Sequence, residues 1–154
     1  EYAVVDGQDR LLPIQKLAPG VTEEMALSAL GITGLTAYFG MLDAGRPQPG
    51  DTVAVSGAAG ATGSVAGQIA KIKGCRVIGI AGGADKCRWL TDVGGFDAAI
   101  DYKSVDVRKR LRELAPDGIN VFYDNVGGDI LEAALDNLAL GARITLCGAI
   151  SGYN

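Results

Sequence analysis

Gly57-Ala58-Ala59-Gly60-Ala61-Thr62-Gly63 is the stretch of this sequence best suited to holding a charged ligand. It follows Thr52–Ser56, a short run of β-branched and small residues introduced by Pro49-Gly50. It precedes a segment in which Val65, Ile69 and Ile72 recur at i, i+4 and i+7. The first pattern reads as a buried strand and the second as one apolar face of a helix. A glycine-rich turn between them lets the backbone come close to a pyrophosphate. The helix start behind it offers unpaired N–H groups and the positive end of the helix dipole. The glycine spacing departs from the ideal G-x-G-x-x-G. Its best register is Ala58-Ala59-Gly60-Ala61-Thr62-Gly63, with alanine at the first glycine position. The same residues also suit a tight packing turn, so the surrounding elements decide.

Those elements form a series. Thr22 suits a helix N-cap, with Glu23 and Glu24 favourable to the dipole and the helix running to about Leu30. Residues 31–40, GITGLTAYFG, follow as a second helix whose small residues allow close packing. Beyond the glycine turn, residues 75–81 read as a strand, 84–93 as a helix and 98–102 as a strand. Ser104 is placed to cap a helix with Val107, Leu111 and Leu114 on its apolar face. Residues 119–126 give a fourth strand. Asp129 is placed to cap a helix with Leu131, Ala134, Leu135 and Leu138 on one side, and 143–149 give a fifth strand. Alternating strands and helices imply an α/β fold, a Rossmann-type doubly wound parallel sheet with helices on both faces. Ligands on such sheets bind at the carboxyl ends of the strands.

The residues just past each strand are therefore the ones to question. A domain that binds NAD usually ends its second strand with an acid that bonds the ribose hydroxyls. Here the tip is Ala81-Gly82-Gly83, and Lys86 just beyond, with Asp85 beside it, suits either a ribose phosphate or an ordinary exposed helix surface. Asn125 ends the fourth strand and suits either a ribose or carboxamide hydrogen bond or a tie to the following turn. Cys147-Gly148-Ala149-Ile150-Ser151 ends the fifth, and its small residues leave room for a flat ring. Cys147 itself reads as a buried thiol, with no basic neighbour to activate it.

Composition narrows the classes. At 154 residues the chain holds one domain with a real core. A net charge of −4 gives nucleic-acid binding no electrostatic support, and Arg108, Lys109, Arg110 and Arg112 read as a solvated helix surface. The apolar runs are too interrupted for a membrane span. Three widely spaced cysteines suggest reduced thiols in a cytoplasmic protein. There is no histidine, so no histidine base and no cysteine–histidine metal cluster comes from these residues. Residues 1–5 look like a strand without partners, as if the chain were part of a larger enzyme.

Four segments together, GLTAYFG at 34–40, SGAAGATGSVAGQIAKIKGC at 56–75, YDNVGG at 123–128 and CGAISGYN at 147–154, carry a resemblance. The sequence resembles the zinc-independent medium-chain dehydrogenases/reductases. The likeness is to the prostaglandin reductase/leukotriene B4 dehydrogenase branch and its bacterial curcumin-reductase-like members. The resemblance implies a fragment of a larger two-domain reductase. Residues 1–30 would be the end of a GroES-like catalytic domain with a connecting helix, and 31–154 the NADP-binding Rossmann domain. It implies NADP(H) as cofactor, an α,β-unsaturated ketone or aldehyde as small-molecule substrate, reduction of the carbon–carbon double bond, and dimerisation as common among members. By the same resemblance Ala59, Gly60, Ala61, Thr62 and Gly63 form the pyrophosphate turn. Lys86 and Tyr102 meet the 2′-phosphate, Asn125 lies at the nicotinamide end, and Cys147, Gly148, Ala149, Ile150 and Ser151 run beneath the cofactor. Tyr153 stabilises the enolate or orients the cofactor ribose, as a catalytic residue. No metal ligand is implied: Ile32 stands near the place where the zinc-dependent cousins carry a metal cysteine. Two other readings share the fold. One is a zinc-dependent alcohol-dehydrogenase-like carbonyl reductase with ligands from outside this segment; the other is a non-catalytic NADP-binding protein.

Overall fold

The computed structural model of the chain describes residues 16–152. The strand expected at residues 1–5 and the catalytic assignment of Tyr153 lie outside these residues.

Helix α1, Glu23–Leu27, starts as expected at Thr22, whose hydroxyl accepts the Met25 N–H at 3.2 Å. It stops before Leu30, because the Ser28 and Leu30 N–H groups both turn back to the Met25 carbonyl. Helix α2, Ile32–Phe39, runs directly into a π-helical turn, Gly40–Gly45. Two side chains from the sheet hold that junction. Tyr123 donates its phenol hydrogen to the Thr36 carbonyl at 3.1 Å, and Thr145 donates to the Gly40 carbonyl at 2.9 Å. A Cβ at Gly40 would stand 2.8 Å from the Tyr123 ring, so only glycine fits against it.

The rest is the expected alternation. Strands β1 (Thr52–Ser56), β2 (Arg76–Ala81), β3 (Ala98–Asp101), β4 (Ile119–Asp124) and β5 (Leu138–Leu146) form one parallel sheet in the order β3-β2-β1-β4-β5. Val53 pairs with Val77 on one side and Val121 on the other, which places β1 at the centre. Helices α3 (Ala61–Ile72), α4 (Ala84–Asp92), α5 (Val107–Leu114) and α6 (Gly128–Leu135) are the crossovers. The side-chain period of two along each strand divides the core. Val53, Val55, Val77, Val121 and Tyr123 pack with Ala66 and Ala70 of α3 and with Ala37 and Met41. Ala54, Ile78, Ile80 and Phe122 pack on the opposite face with Leu111, Ala133 and Ala134 of α5 and α6.

Several local expectations need correction. The buried face of α3 is Gly63, Ala66, Gly67 and Ala70, while Ile72 is 84% exposed and Val65 and Ile69 only flank the core. The helix approaches by its smallest residues because the space is taken. A Cβ at Gly67 would lie 2.0 Å from Cζ of Phe96, and one at Gly63 would lie 2.4 Å from the Gly57 carbonyl oxygen. Ser104 does not cap α5. Asp106 does, accepting the Lys109 N–H at 3.0 Å, and Ser104 donates instead to the Asp101 carbonyl. Asp129 lies in the first turn of α6, whose N-cap is Gly127 at φ +74°. Leu138 starts β5 rather than closing the face of α6, so that strand begins five residues before Arg143. Strands β3, β4 and β5 stop short of Tyr102, Asn125 and Cys147, leaving all three at strand tips.

Candidate functional site

The sheet order reverses between β1 and β4, and the crevice above that point is where doubly wound sheets bind ligands. A cleft of about 440 Å³ opens there. Ala59, Gly60, Ala61, Thr62, Gly63, Lys86, Tyr102, Asn125 and Ile150 all line it. The glycine turn is set by Gly57 at φ +57°, by the Ala58 N–H on the Ile80 carbonyl at 3.1 Å and by the Gly60 N–H on the Gly57 carbonyl at 3.0 Å. Gly60 is the N-cap of α3 and provides no side-chain cap. The first-turn N–H groups, which a helix leaves without internal partners, thus receive no side-chain cap.

Beneath the turn lies a buried polar joint. Ser56 Oγ donates to Asp124 Oδ1 at 2.6 Å and accepts the Asn125 N–H at 2.8 Å. The Asn125 amide nitrogen donates to the Ser56 carbonyl at 2.7 Å, so Asn125 ties β4 to β1 as well as lining the cleft. The Asp124 carboxylate, 1% exposed, also accepts the N–H groups of Val126 and Gly127 at 3.0–3.1 Å. Its backbone carbonyl accepts those of Cys147 and Gly148. One aspartate therefore fixes the tips of β1, β4 and β5 together. Ser56 and Asp124 were not singled out from the sequence. Their signal was a serine and an aspartate each ending an otherwise apolar strand.

At the far side of the cleft Lys86 and Tyr102 flank Gly82. Asp85, next to Lys86, is turned to Arg88 in an exposed ion pair. Among the described residues no carboxylate lies within ion-pairing distance of Lys86. Asp101, also missed in the sequence, accepts the Gly83 N–H at 2.8 Å and the Lys103 N–H at 3.0 Å. Those bonds, Gly83 first, hold its carboxyl below the usual range. Past Tyr102 and Ile150 a larger hollow of about 700 Å³ runs between the starts of α5 and α6.

The last expected segment is divided. Ile150 lines the cleft and Ser151 lines the larger hollow, its hydroxyl donating to the Val126 carbonyl at 2.6 Å. Ala149 lies against Gly127, whose added Cβ would be 3.6 Å from the Ala149 Cα. Gly148 is held through its N–H by Asp124, at 3.1 Å, rather than lining the cleft. Cys147 faces a separate apolar groove with Ile32, Leu35, Phe39, Tyr123 and Leu146. There burial, aided by the Cys147 thiol, pushes the Tyr123 phenol up from its ordinary pKa.

A five-stranded parallel sheet with a glycine turn and a bare helix N-terminus at its switch point defines a Rossmann-type dinucleotide-binding unit. Residues 61–154 match the family model described as zinc-binding dehydrogenase, and the chain belongs to that family. Within the medium-chain reductases it falls in the prostaglandin reductase 1/curcumin reductase branch. It is 48% identical over 129 residues to the NADPH-dependent curcumin reductase of Escherichia coli, covering 84% of this chain and 37% of that protein. It is 50% identical over 131 residues to prostaglandin reductase 1 of Bos taurus, covering 84% and 40%. The crystal structure of CurA from Vibrio vulnificus in complex with NADPH superposes with a TM-score of 0.82 at 50% identity, covering 84% of this chain and 39% of that one. The chain thus spans about two fifths of the length of the curated relatives it matches. The family's description names a metal, but the described residues do not fit one. Among them no group of three or more His, Cys, Asp or Glu is placed to hold an ion, and all three cysteines are free. Among them, too, no helix is long and apolar enough to cross a membrane.

Proposed function

We propose that this chain binds NADP(H) in the strand-tip cleft and forms the cofactor-binding region of a zinc-independent reductase. That enzyme reduces the carbon–carbon double bond of α,β-unsaturated ketones and aldehydes, and residues 1–30 belong to the end of its catalytic domain. The observation that carries the reading is the chemistry beyond β2. Where an NAD-type domain sets an acid, this chain has Gly82, with Lys86 and Tyr102 lining the cleft around it and Asp85 drawn off by Arg88. That is a site for a phosphate dianion rather than for two ribose hydroxyls. The NADPH complex of the CurA relative and the name of the E. coli reductase support the same choice.

When bound, the cofactor supplies a hydride to the β-carbon of the conjugated substrate. The chain's own residues bind and orient. The first-turn N–H groups of α3, at Ala61, Thr62 and Gly63, receive the pyrophosphate. Lys86 and Tyr102 receive the 2′-phosphate. Asn125, held by Ser56, stands at the nicotinamide end, and Ile150, carried on a segment bonded to Asp124 and Val126, closes the cleft beside it. Tyr153 stabilises the negative charge that develops on the substrate carbonyl oxygen, or orients the cofactor ribose. Titration of the protein with NADPH and NADH tests the cofactor assignment. NADPH binding tighter by about tenfold or more is expected from one additional charge-assisted contact. Equal or tighter NADH binding overturns it.

A further inference from the structure

Gly82 and Tyr102 compete for one space at the tip of β2. A Cβ on Gly82 would stand 2.8 Å from both Cζ and Oη of Tyr102 and 2.9 Å from Cε1. A real Cβ essentially never comes this close to a neighbour, so the tyrosine ring already fills the place where a side chain at 82 would go. Tyr102 is 45% exposed and the clashing atoms are the far end of its ring. A larger residue at 82 would therefore displace the ring into solvent rather than disrupt the core.

The backbone on both sides of this contact is held by one group. Asp101 Oδ1 accepts the N–H of Gly83 at 2.8 Å and that of Lys103 at 3.0 Å. Between them, the Tyr102 N–H donates to the Ala81 carbonyl at 3.1 Å. A single carboxylate oxygen staples the turn after β2 to the turn after β3, and Tyr102 leaves the chain at that staple. Asp101 does not line the cleft, whereas Gly82, Lys86 and Tyr102 do.

We propose that Gly82 and Asp101 set the preference of this protein for NADPH over NADH through the placement of Tyr102. Gly82 is a specificity-determining residue because its missing side chain leaves room for Tyr102. Asp101 is a positioning residue because it fixes the backbone on either side of the Gly82–Tyr102 contact. The inference rests on the reading of Lys86 and Tyr102 as the 2′-phosphate site. Its consequence is that the two nucleotide preferences exclude one another at one residue. The tip of β2 is where an NAD-type domain carries its acid, and here any side chain at that place evicts the phosphate-binding phenol.

The test measures NADPH and NADH dissociation constants, with urea midpoints, for the unsubstituted protein, Gly82→Ala, Tyr102→Ala, the double variant, Asp101→Ala and Asp101→Asn. Gly82→Ala is expected to weaken NADPH about tenfold, keep NADH within about twofold, and leave the urea midpoint nearly unchanged. In the Tyr102→Ala background it should add nothing, since the displaced group is gone. Asp101→Ala should lower the NADPH/NADH preference. Asp101→Asn keeps an acceptor for both N–H groups and should restore that preference. A protein that prefers NADPH and retains the full preference as Gly82→Ala overturns the proposal, as does full additivity in the double variant. Equal loss of both nucleotides in Asp101→Ala and Asp101→Asn would assign that residue to folding alone and overturn its part. If the unsubstituted protein shows no preference for NADPH, the cofactor reading itself fails and this inference falls with it.

Discussion

Ser56→Ala removes a single oxygen from the joint beneath the strand tips. That oxygen donates to Asp124 at 2.6 Å and accepts the Asn125 N–H at 2.8 Å. Ser56 is 0% exposed and Asp124 1%, so solvent does not stand in for the missing group. A hydrogen bond to a charged group contributes about 1.5–3 kcal/mol, and an N–H left without its acceptor costs about 1–3 kcal/mol. Asp124 keeps its bonds from the Val126 and Gly127 N–H groups, which limits the loss on the carboxylate side. The expected destabilisation is therefore about 2–4 kcal/mol. In a urea titration that lowers the midpoint by about 1–2 M at an m-value of about 2 kcal/mol/M, with the slope unchanged. Thermal unfolding should shift downward by roughly 5–15 °C for a chain of this size. A loss below about 1 kcal/mol at constant slope would refute the view that this hydroxyl locks β1 to β4.

Other perturbations test other parts of the structure. Gly67→Ala places a methyl 2.0 Å from Cζ of Phe96, which is 4% exposed, so about 1–3 kcal/mol of destabilisation is expected in the same titration, and a neutral result contradicts the packing of α3. Burial pushes the Asp97 carboxyl up, but Lys71 at 2.7 Å and the Val77 N–H outweigh it and the net pKa is lowered. A depressed carboxyl stabilises the fold above the unfolded value, near pH 4, and that contribution is lost as pH falls through the folded value. Asp97→Asn should accordingly cost stability at pH 7 and flatten the acid limb of a stability–pH curve; an unaltered limb counts against the pairing. Lys86→Ala should weaken NADPH about tenfold and leave NADH alone, as read by parallel titrations.

The sequence carried the fold further than it carried the site. β1 was legible to the residue, because Pro49-Gly50 and Gly57 bound a β-branched run that is buried on both faces. The strand–helix alternation was legible as well, although β5 starts at Leu138 rather than at Arg143. The buried face of α3 was not, since a search for large apolar residues at helical spacing passes over Gly63, Ala66, Gly67 and Ala70. What selects glycine at 63 is the Gly57 carbonyl of the preceding turn, and at 67 the Phe96 ring, supplied by more distant chain. The caps at Asp106 and Gly127 were misplaced by two residues because Ser104 and Asp129 are equally good capping types, and only the turn geometry separates them. In the site, the glycine turn, Lys86 and Asn125 were singled out by position at or past a strand end, and Tyr102 by the family resemblance; the structure brings all of them to one cleft. Ser56, Gly82 and Asp101 were missed as participants because their roles are contacts across 18 to 69 residues of sequence, or the absence of a side chain.

The most direct test of the account is nucleotide oxidation by the protein at the length of its relatives, on an α,β-unsaturated ketone and its saturated analogue, with a metal chelator present. The account expects NADPH to be consumed with the unsaturated ketone alone, at a rate the chelator does not change. Consumption with the saturated ketone, or a rate abolished by the chelator, would contradict a metal-free double-bond reductase.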